Sequence, residues 1–208
     1  MGTTTTSTTP PPPPTTYTYT PRTTETLLDI ATAVIHLLTL SHETLGVAES
    51  LTAGGVMSAL TSVPGASACF RGGVVSYATP LKQQILGVDA ALIAREGVIH
   101  ADVAEQMASG VRRVTSITTT TTNNDDGGDG GSGASNETTW GIGTTGVAGP
   151  TPQDGKPVGM VYIGIAGPEG SRGYGPFSFE GTRERIREAT VMEALSLLRQ
   201  ELVARKRG

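Results

Sequence analysis

The chain has 208 residues and a formal net charge of −4, with 37% hydrophobic and 4% aromatic residues. This length fits one domain with a hydrophobic core, and the acidic balance excludes the basic surface that binding to a nucleic-acid backbone needs. No apolar run approaches the roughly 20 residues of a membrane-spanning helix. We therefore expect a soluble domain with neither a nucleic-acid nor a membrane partner.

Residues 1–22 form a Thr/Pro-rich tract that contains five consecutive prolines, Pro10 to Pro14. Such composition favours extended, solvated backbone and offers nothing to bury. We predict a disordered tail at 1–22, followed by one domain at residues 23–205. The alternative function for the tail is that of a proline-rich ligand for another protein.

Cys69 is the single cysteine of the chain, so an internal disulfide is excluded and a reducing compartment is favoured. The N-terminus lacks the charged and apolar regions of a secretory signal peptide. We expect a cytoplasmic protein. Because the N-terminal tract is rich in threonine and free of acidic residues, mitochondrial import is the alternative.

From residue 24 onward, apolar periodicity and turn residues predict alternating helices and strands. In chain order the predicted elements are a helix at 24–40, a strand at 45–48, a helix that ends at 64–65, a strand at 73–77, helices that begin at 79, at 89 and at 100–102, strands at 158–166 and 174–179, and a helix at 182–205. Helices interleaved with strands predict an α/β fold, a layered helix/sheet/helix single domain.

Residues 115–139 consist mainly of Thr, Asn, Asp, Gly and Ser and carry almost no apolar side chains. A structureless loop of this length is uncommon inside a compact domain, and here the composition itself is of low complexity. We predict a disordered insertion at 115–139, between a helix and the next strand.

Two glycine-rich motifs are rejected as nucleotide sites. Gly141 to Gly146 fits G-x-G-x-x-G, but that fingerprint requires a helix to follow at once, and Pro150 and Pro152 oppose a helix there. In a second stretch, 149–156, the glycines are spaced wrongly for a P-loop, and Pro157 stands where a magnesium-binding hydroxyl is needed.

The three histidines of the chain do not have the sequence spacing of metal ligands. We therefore predict no metal and no cofactor.

Three polar residues lie where predicted elements begin or end. Ser50 lies at a strand-to-helix break, where its hydroxyl either points into a cleft or caps the helix, and Gly54 behind it allows close backbone approach. Lys82 falls in the first turn of a predicted helix, where the helix dipole and burial would lower the pKa of its amine and fit it as a general base. The alternative is a solvated surface lysine. Arg183 begins the last helix, and it is either an anion-binding side chain or an exposed arginine.

Several motifs in order and register resemble the CinA C-terminal family of nicotinamide mononucleotide deamidases. The matching segments are 48–54 (AESLTAG), 63–67 (VPGAS), 70–77 (FRGGVVSY) with Lys82, 86–88 (LGV), 145–150 (TGVAGP), 156–159 (KPVG) and 179–183 (FEGTR). The resemblance extends over about residues 24–202, apart from the insertion. Many motifs in register are more specific than any single one.

The resemblance implies a compact α/β domain, a homo-oligomer, and hydrolysis of the carboxamide of a pyridine nucleotide. By motif position, Ser50 is the expected nucleophile, and Lys82 and Tyr77 are its activating partners. Ser67 and Thr145 match substrate-contacting positions, Gly54 is a further expected substrate contact, and Arg183 matches the arginine expected near the phosphate. Backbone N–H groups of the 50–54 turn are candidates for oxyanion stabilisation.

The chain departs from the family pattern at four positions. Leu51 stands where the family often has Cys, and Ala53 where it often has Gly. His100 replaces a usual Ser, which predicts a weaker helix cap. Thr182 replaces a usual Asp, and its lack of a carboxylate near Arg183 predicts weaker phosphate binding. The rival function is a pyridine-nucleotide sensor without turnover, which would need Arg183 and Thr145 but not the Ser50, Tyr77 and Lys82 set.

Overall fold

The computed structural model describes residues 24–119 and 134–206. The predicted tail at 1–22 lies outside the described residues. The helices are α1 (Leu27–Leu40), α2 (Gly55–Thr61), α3 (Thr79–Gln84), α4 (Ala90–Glu96), α5 (Ala101–Val114) and α6 (Arg183–Arg205). The strands are β1 (Leu45–Glu49), β2 (Phe70–Val75), β3 (Ile117–Thr119), β4 (Ala134–Asn136), β5 (Trp140–Gly146), β6 (Met160–Gly167) and β7 (Gly170–Ser178). This arrangement confirms the predicted α/β fold.

The start of α1 shows how local sequence sets an element boundary. Thr26 Oγ1 accepts a hydrogen bond from the Asp29 N–H, and the Asp29 carboxylate accepts one from the Thr26 N–H at 2.9 Å. This capping box satisfies two backbone donors at the helix start. The helix therefore begins at Leu27, three residues later than its apolar spacing predicts.

Five strands form the main sheet, in the order β2-β1-β5-β6-β7. Strands β2, β1 and β5 are parallel, and β6 and β7 continue the sheet antiparallel. The chain leaves β1 toward β2 on one side and leaves β5 toward β6 on the other. A crevice therefore opens between the carboxyl ends of β1 and β5, the usual place for a ligand in an open α/β sheet.

Helices cover both faces of this sheet. On one face Val34 of α1 and Leu198 of α6 belong to the same buried core as Val47 and Ile142 of the sheet. On the other face Met107 of α5 packs in a second cluster with residues from the α3–α4 region and β1. The helix/sheet/helix layering is thus as predicted. None of the described helices combines the length and the apolar composition needed to cross a bilayer.

Glycines in the centre of the sheet let α5 approach closely. A Cβ at Gly141 would lie 2.0 Å from the Ala108 carbonyl oxygen, and one at Gly164 would lie 2.1 Å from that of Ala104. Gly141 and Gly143 are the first two glycines of the G-x-G-x-x-G motif, and the whole motif lies within β5. At these two positions the motif serves helix–sheet packing, and no helix follows it.

The limits of the predicted insertion need correction at both ends. Ile117–Thr119 and Ala134–Asn136 pair as an antiparallel two-stranded sheet, and Ser116 Oγ accepts a hydrogen bond from the Thr138 N–H. The β-branched residues at 117–119 favour extended structure, which the low-complexity composition of the segment conceals. Residues 120–133 lie outside the described residues.

Candidate active site

A cavity of about 360 Å³ lies at the carboxyl ends of β1, β2 and β5. Its walls come from the turn after β1, the β2–α3 connection with α3 itself, the α4–α5 connection, the end of β5 with the loop after it, and the first residue of α6. Ser50, Tyr77, Lys82, Thr145 and Arg183 all line it. Five of the seven predicted site residues therefore surround one cavity.

Ser50 directly follows β1 and is half-buried at the cavity wall. Its N–H donates to the Thr144 carbonyl oxygen at 3.1 Å, which ties the turn to the neighbouring strand β5. The Thr52 and Thr144 hydroxyls, 2.8 Å apart, add a second link between the same two segments. The nucleophile candidate thus follows directly on β1 and is tied to the neighbouring strand β5.

Lys82 is the principal partner of Ser50. Its Nζ lies 3.1 Å from Ser50 Oγ and donates to the Ser76 carbonyl oxygen at 2.6 Å. The side chain is 1% exposed, and this burial lowers the pKa of its amine from 10.5 to about 8. The carbonyl can only accept, so it fixes one N–H of the amine. When the amine is neutral, its lone pair is left for the Ser50 hydroxyl.

The cause predicted for this lowered pKa was partly wrong. Helix α3 has only six residues, and Lys82 is the fourth of them, in the last turn. The helix N-terminus therefore gives little of the predicted effect, which falls off within the first turn. Desolvation of the ammonium is the cause that the structure supports.

Tyr77 and Arg183 form a second group on the cavity wall. The Arg183 guanidinium donates to the Tyr77 hydroxyl at 2.7 Å and to the Gly149 carbonyl oxygen at 2.6 Å. These bonds join the β2–α3 connection, the loop after β5 and the start of α6. Within residues 24–119 and 134–206, the Tyr77 hydroxyl is hydrogen-bonded to Arg183 and not to Ser50 or Lys82. Tyr77 is thus bound to the arginine, and the Ser50–Lys82 pair is held without it.

The other predicted substrate contacts divide into two cases. Thr145 lines the cavity, is buried, and donates its hydroxyl to the Val98 carbonyl oxygen at 2.7 Å. Ser67 is exposed in a 3₁₀ turn at Ala66–Ala68 and does not line the cavity. Gly54 does not line it either, and its N–H donates to the Glu49 carboxylate at 2.8 Å. Neither residue therefore lies where it would contact a ligand inside this cavity.

The backbone N–H groups of the 50–54 turn are mostly occupied. Ser50, Ala53 and Gly54 each donate within the protein. Over residues 24–119 and 134–206 the structure records no acceptor for the N–H of Leu51 or of Thr52. The predicted oxyanion donors are thereby reduced to two, and Leu51 lines the cavity.

Two residues that sequence reasoning missed support this turn. The buried Glu49 carboxylate bonds three backbone N–H groups around the start of α2. Arg187 donates to the Thr52 carbonyl oxygen at 3.0 Å, and its buried Nε has no hydrogen-bond partner among the described residues. The available signal for Glu49 was an acidic residue at the end of an apolar strand, before a helix whose N-cap, Gly54, has no side chain.

The lining of the cavity carries positive charge. Of its ionisable residues, Lys82 and Arg183 are cations, and no carboxylate lines it within the part of the chain that the structure describes. The same part contains no group of three or more His, Cys, Asp or Glu side chains that could hold a metal ion. This charge distribution fits a ligand that bears an anionic group.

The departures at His100 and Thr182 leave both caps in place. His100 Nδ1 accepts a hydrogen bond from the Asp102 N–H at 3.2 Å at the start of α5. Thr182 Oγ1 accepts one from the Arg185 N–H at 3.4 Å at the start of α6. The Gly149 carbonyl and the Tyr77 hydroxyl orient Arg183 in the absence of the usual acidic residue.

Comparison with known proteins identifies relatives in several bacteria. The family model of the CinA C-terminal domain matches residues 27–128 and 129–202. The CinA-like protein of Frankia casuarinae is 46% identical over 81% of this chain, and that of Cyanothece sp. is 43% identical over 84%. The chain spans only 34% and 37% of the length of these two curated relatives.

Solved structures show the same architecture. The competence/damage inducible protein CihA from Agrobacterium tumefaciens superposes with a TM-score of 0.69 at 27% identity, over 85% of this chain and 94% of that one. A CinA superfamily protein from Klebsiella pneumoniae superposes with a TM-score of 0.72 over 86% and 99%, and at 22% identity it supports the fold alone. The family match, the identities and the shared fold agree: this chain belongs to the CinA C-terminal domain family.

Proposed function

We propose that this protein is an amidohydrolase that converts nicotinamide mononucleotide to nicotinate mononucleotide and ammonia, with Ser50 as its nucleophile. One observation carries the proposal: a buried lysine amine lies 3.1 Å from a serine hydroxyl at the end of a strand, on the wall of a cavity. A lysine on the surface stays solvated and protonated. A desolvated amine with a lowered pKa can instead act as a general base.

In the first half of the reaction the Ser50 oxygen attacks the amide carbon while Lys82 takes the hydroxyl proton. Lys82 then delivers this proton to the leaving nitrogen as the C–N bond breaks, and ammonia departs from a Ser50 ester. In the second half Lys82 deprotonates a water molecule that attacks the ester. The acid product leaves and the serine hydroxyl is restored.

The developing negative charge on the amide oxygen needs hydrogen-bond donors in fixed positions. The unpaired N–H groups of Leu51 and Thr52 adjoin the nucleophile in the chain, and we assign the oxyanion contacts to them, with Leu51 at the cavity wall. Such donors typically contribute about 10²- to 10³-fold to the rate. The Gly54 N–H is excluded from this role because the Glu49 carboxylate already binds it.

The Lys82 amine and the Arg183 guanidinium lie in separate groups, which fits a nucleotide whose reactive end meets a neutral base and whose anionic end meets a cation. Lys82 is bound to Ser50, and Arg183 is bound to Tyr77 and Gly149 on another part of the wall. We assign the phosphate to Arg183. Tyr77, bound to the guanidinium, is then an orienting residue for the anionic end, and its expected role in serine activation would need a rearrangement.

The test is to incubate the purified protein with nicotinamide mononucleotide and to measure ammonia and nicotinate mononucleotide. Ser50→Ala is the matched control, since it removes only the hydroxyl. Equimolar release of both products by the wild type and none by the variant is the expected result. Binding of the nucleotide by both proteins without turnover would favour the sensor function instead.

The proposal also includes the oligomeric state, the location and the cofactor requirement of the enzyme. The family resemblance supports a homo-oligomer, and the lone cysteine supports a cytoplasmic location. We propose turnover without a metal or cofactor, and the described cavity lining offers no carboxylate to hold a metal ion. Dialysis against a chelator should therefore leave the activity unchanged, and light scattering should give the mass of more than one chain.

A further inference from the structure

Glu49 is the residue immediately before the nucleophile candidate, and its side chain is fully buried at 0% exposure. Its carboxylate accepts hydrogen bonds from the Gly54 N–H at 2.8 Å, the Val56 N–H at 3.2 Å and the Met57 N–H at 2.9 Å. Burying a charge is costly unless it is hydrogen-bonded in this way. A buried charge next to Ser50 calls for a specific explanation.

Helix α2 depends on this carboxylate for its start. Its N-cap is Gly54, which has no side chain to cap the helix, and the helix has only seven residues. The three donors that Glu49 binds belong to the N-cap and to the first turn of α2. Glu49 therefore caps α2 from the end of the preceding strand and closes the chain from 49 to 57 into a ring.

The turn inside this ring is strained. Ala53 has a φ of 49° and Gly54 a φ of 94°, and the first of these is a conformation that a residue with a Cβ seldom adopts. Such backbone persists only where the surrounding bonds impose it. The Glu49 carboxylate, with bonds on the far side of the turn, is a group that can impose it.

The same residue also fixes the base. The Glu49 carbonyl oxygen accepts a hydrogen bond from the Ser76 N–H at 2.8 Å, and the Ser76 carbonyl accepts one from Lys82 at 2.6 Å. Ser50 and Lys82 are thus both connected to Glu49, one through the peptide bond and the other through Ser76.

We infer that Glu49 is a positioning residue for the proposed deamidation. Its carboxylate holds the 50–54 turn so that Ser50 stays within reach of Lys82 and the N–H groups of Leu51 and Thr52 stay unpaired for the oxyanion. The inference rests on the proposed function. Glu49 does not line the cavity and has three donors as partners, so it neither touches the substrate nor transfers a proton.

Glu49→Gln is the discriminating variant. The amide keeps the shape of the carboxylate, but one of its two ends becomes a donor, which faces backbone N–H groups and cannot bond to them. We expect kcat to fall about 10- to 100-fold, because a small misplacement of reacting groups costs this much. KM should stay within about threefold of the wild type because Arg183 is untouched, and the pH midpoint set by Lys82 should not move.

Asp29→Asn is the control at a carboxylate outside the site, and this carboxylate is exposed. Asp29 is also a carboxylate that binds backbone at a helix start, but that helix, α1, contributes nothing to the cavity. Both variants should lower the melting temperature, and only Glu49→Gln should lower kcat. If the loss of kcat in Glu49→Gln is no greater than in Asp29→Asn at equal folded fraction, Glu49 is only structural and the inference is overturned.

A second readout separates this inference from the proposed substrate. An alkyl fluorophosphonate reports the reactivity of Ser50 directly: the serine oxygen bonds to phosphorus, fluoride leaves and the hydroxyl proton passes to Lys82. Mass spectrometry locates the adduct. The labelling rate should fall in Glu49→Gln and not in Asp29→Asn. Should the wild type label at Ser50 without releasing ammonia, the proposed substrate is wrong while the labelling rates still decide the role of Glu49. A wild type that does neither overturns both.

Glu49→Asp covers the case in which Glu49→Gln fails to fold. It retains the negative charge and draws the carboxylate back by one methylene group, which lengthens all three bonds. A folded Glu49→Asp protein should show the same loss of kcat and of labelling rate. Labelling and kcat at the wild-type level in this variant would show that the position of the carboxylate is irrelevant to Ser50.

Discussion

The amine of Lys82 lies 3.1 Å from the hydroxyl oxygen of Ser50, although the two residues are separated by 32 positions in the sequence. The parallel pairing of β1 with β2 brings them together, because Ser50 follows β1 and Lys82 belongs to the helix that follows β2. This contact buries the Lys82 amine, and removing its charged form from water costs free energy. A contact that is kept at such a cost is expected to have a function, and it leads to three predictions.

Ser50→Ala and Lys82→Met should each abolish ammonia release from nicotinamide mononucleotide. The double variant should be hardly worse than either, because residues that act as one unit are strongly non-additive. Single-turnover assays and calorimetric titration with the nucleotide check this, and binding should survive in both single variants. Lys156→Met, outside the cavity lining, is the control that should keep its activity. Substantial turnover by Ser50→Ala would contradict the covalent mechanism and favour direct attack by an activated water molecule.

The pH dependence of kcat/KM should follow the ionisation of Lys82. The amine acts as a base only when it is neutral, and with a pKa of about 8 roughly a tenth of the molecules have it neutral at pH 7. The rate should therefore rise about tenfold per pH unit below pH 8 and level off above it. Steady-state assays between about pH 6 and pH 9.5 measure this midpoint. A midpoint near 10.5 would mean that the amine is solvated during the reaction.

The stability of the fold should depend on pH through the same group. Between about pH 8 and 10.5 the unfolded chain holds a proton on Lys82 that the folded protein has lost, so the free energy of unfolding rises with pH in this window. The gain is at most about 1.4 kcal/mol per pH unit. Lys82→Met lacks this contribution, so its stability relative to the wild type should fall as the pH rises. Urea unfolding of both proteins at about pH 7 and pH 9.5 checks the sign, and a constant difference would refute it.

Much of the fold could be predicted because apolar spacing marks α1 and cap residues mark the starts of α5 and α6. Helices α5 and α6 begin directly after His100 and Thr182, within the predicted starts, and α6 ends at its predicted limit, Arg205. Strand β5 gave no such signal, since its glycines and threonines lack the apolar pattern of a buried strand. Those glycines are needed because α5 lies directly on them, and a sequence read in one dimension does not show that contact.

The side chains of the site could be predicted from the sequence, but most of the groups that orient them could not. Ser50, Lys82 and Arg183 stand at element boundaries, where residue type and position together indicate chemistry. The partners that orient them are largely main-chain carbonyls, those of Ser76, Gly149 and Thr144, and a carbonyl is common to every residue type. Ser67 was assigned to the site from the family resemblance alone, and it lies outside the cavity.

Gly141→Ala should destabilise the fold without any specific effect on nucleotide binding. The added Cβ would lie 2.0 Å from the Ala108 carbonyl oxygen, and a backbone atom of α5 cannot rotate away as a side chain could. Overpacking of this kind costs about 1–3 kcal/mol, occasionally more. Urea unfolding and nucleotide titration of the folded variant check both halves of the prediction. Weaker nucleotide binding at unchanged stability would revive the dinucleotide-binding interpretation of the motif.

Arg183→Ala should raise KM for nicotinamide mononucleotide far more than for the dephosphorylated riboside. The guanidinium is held at the cavity wall by Gly149 and Tyr77, where it can receive a phosphate. Hydrogen bonds to charged groups are worth roughly 1.5–3 kcal/mol, which corresponds to a rise in KM of about 10- to 150-fold. The riboside has no phosphate to lose, so its KM should change little.

Arg185→Ala is the matched control for this prediction. Arg185 lies two residues further along α6, is exposed, and does not line the cavity, so it shares the charge of Arg183 but not its position. If the phosphate is bound through the general positive charge of the helix start, both variants should raise KM alike. If it is bound by Arg183 itself, only Arg183→Ala should discriminate between mononucleotide and riboside. If Arg183→Ala raises KM equally for the mononucleotide and the riboside, Arg183 does not bind the phosphate.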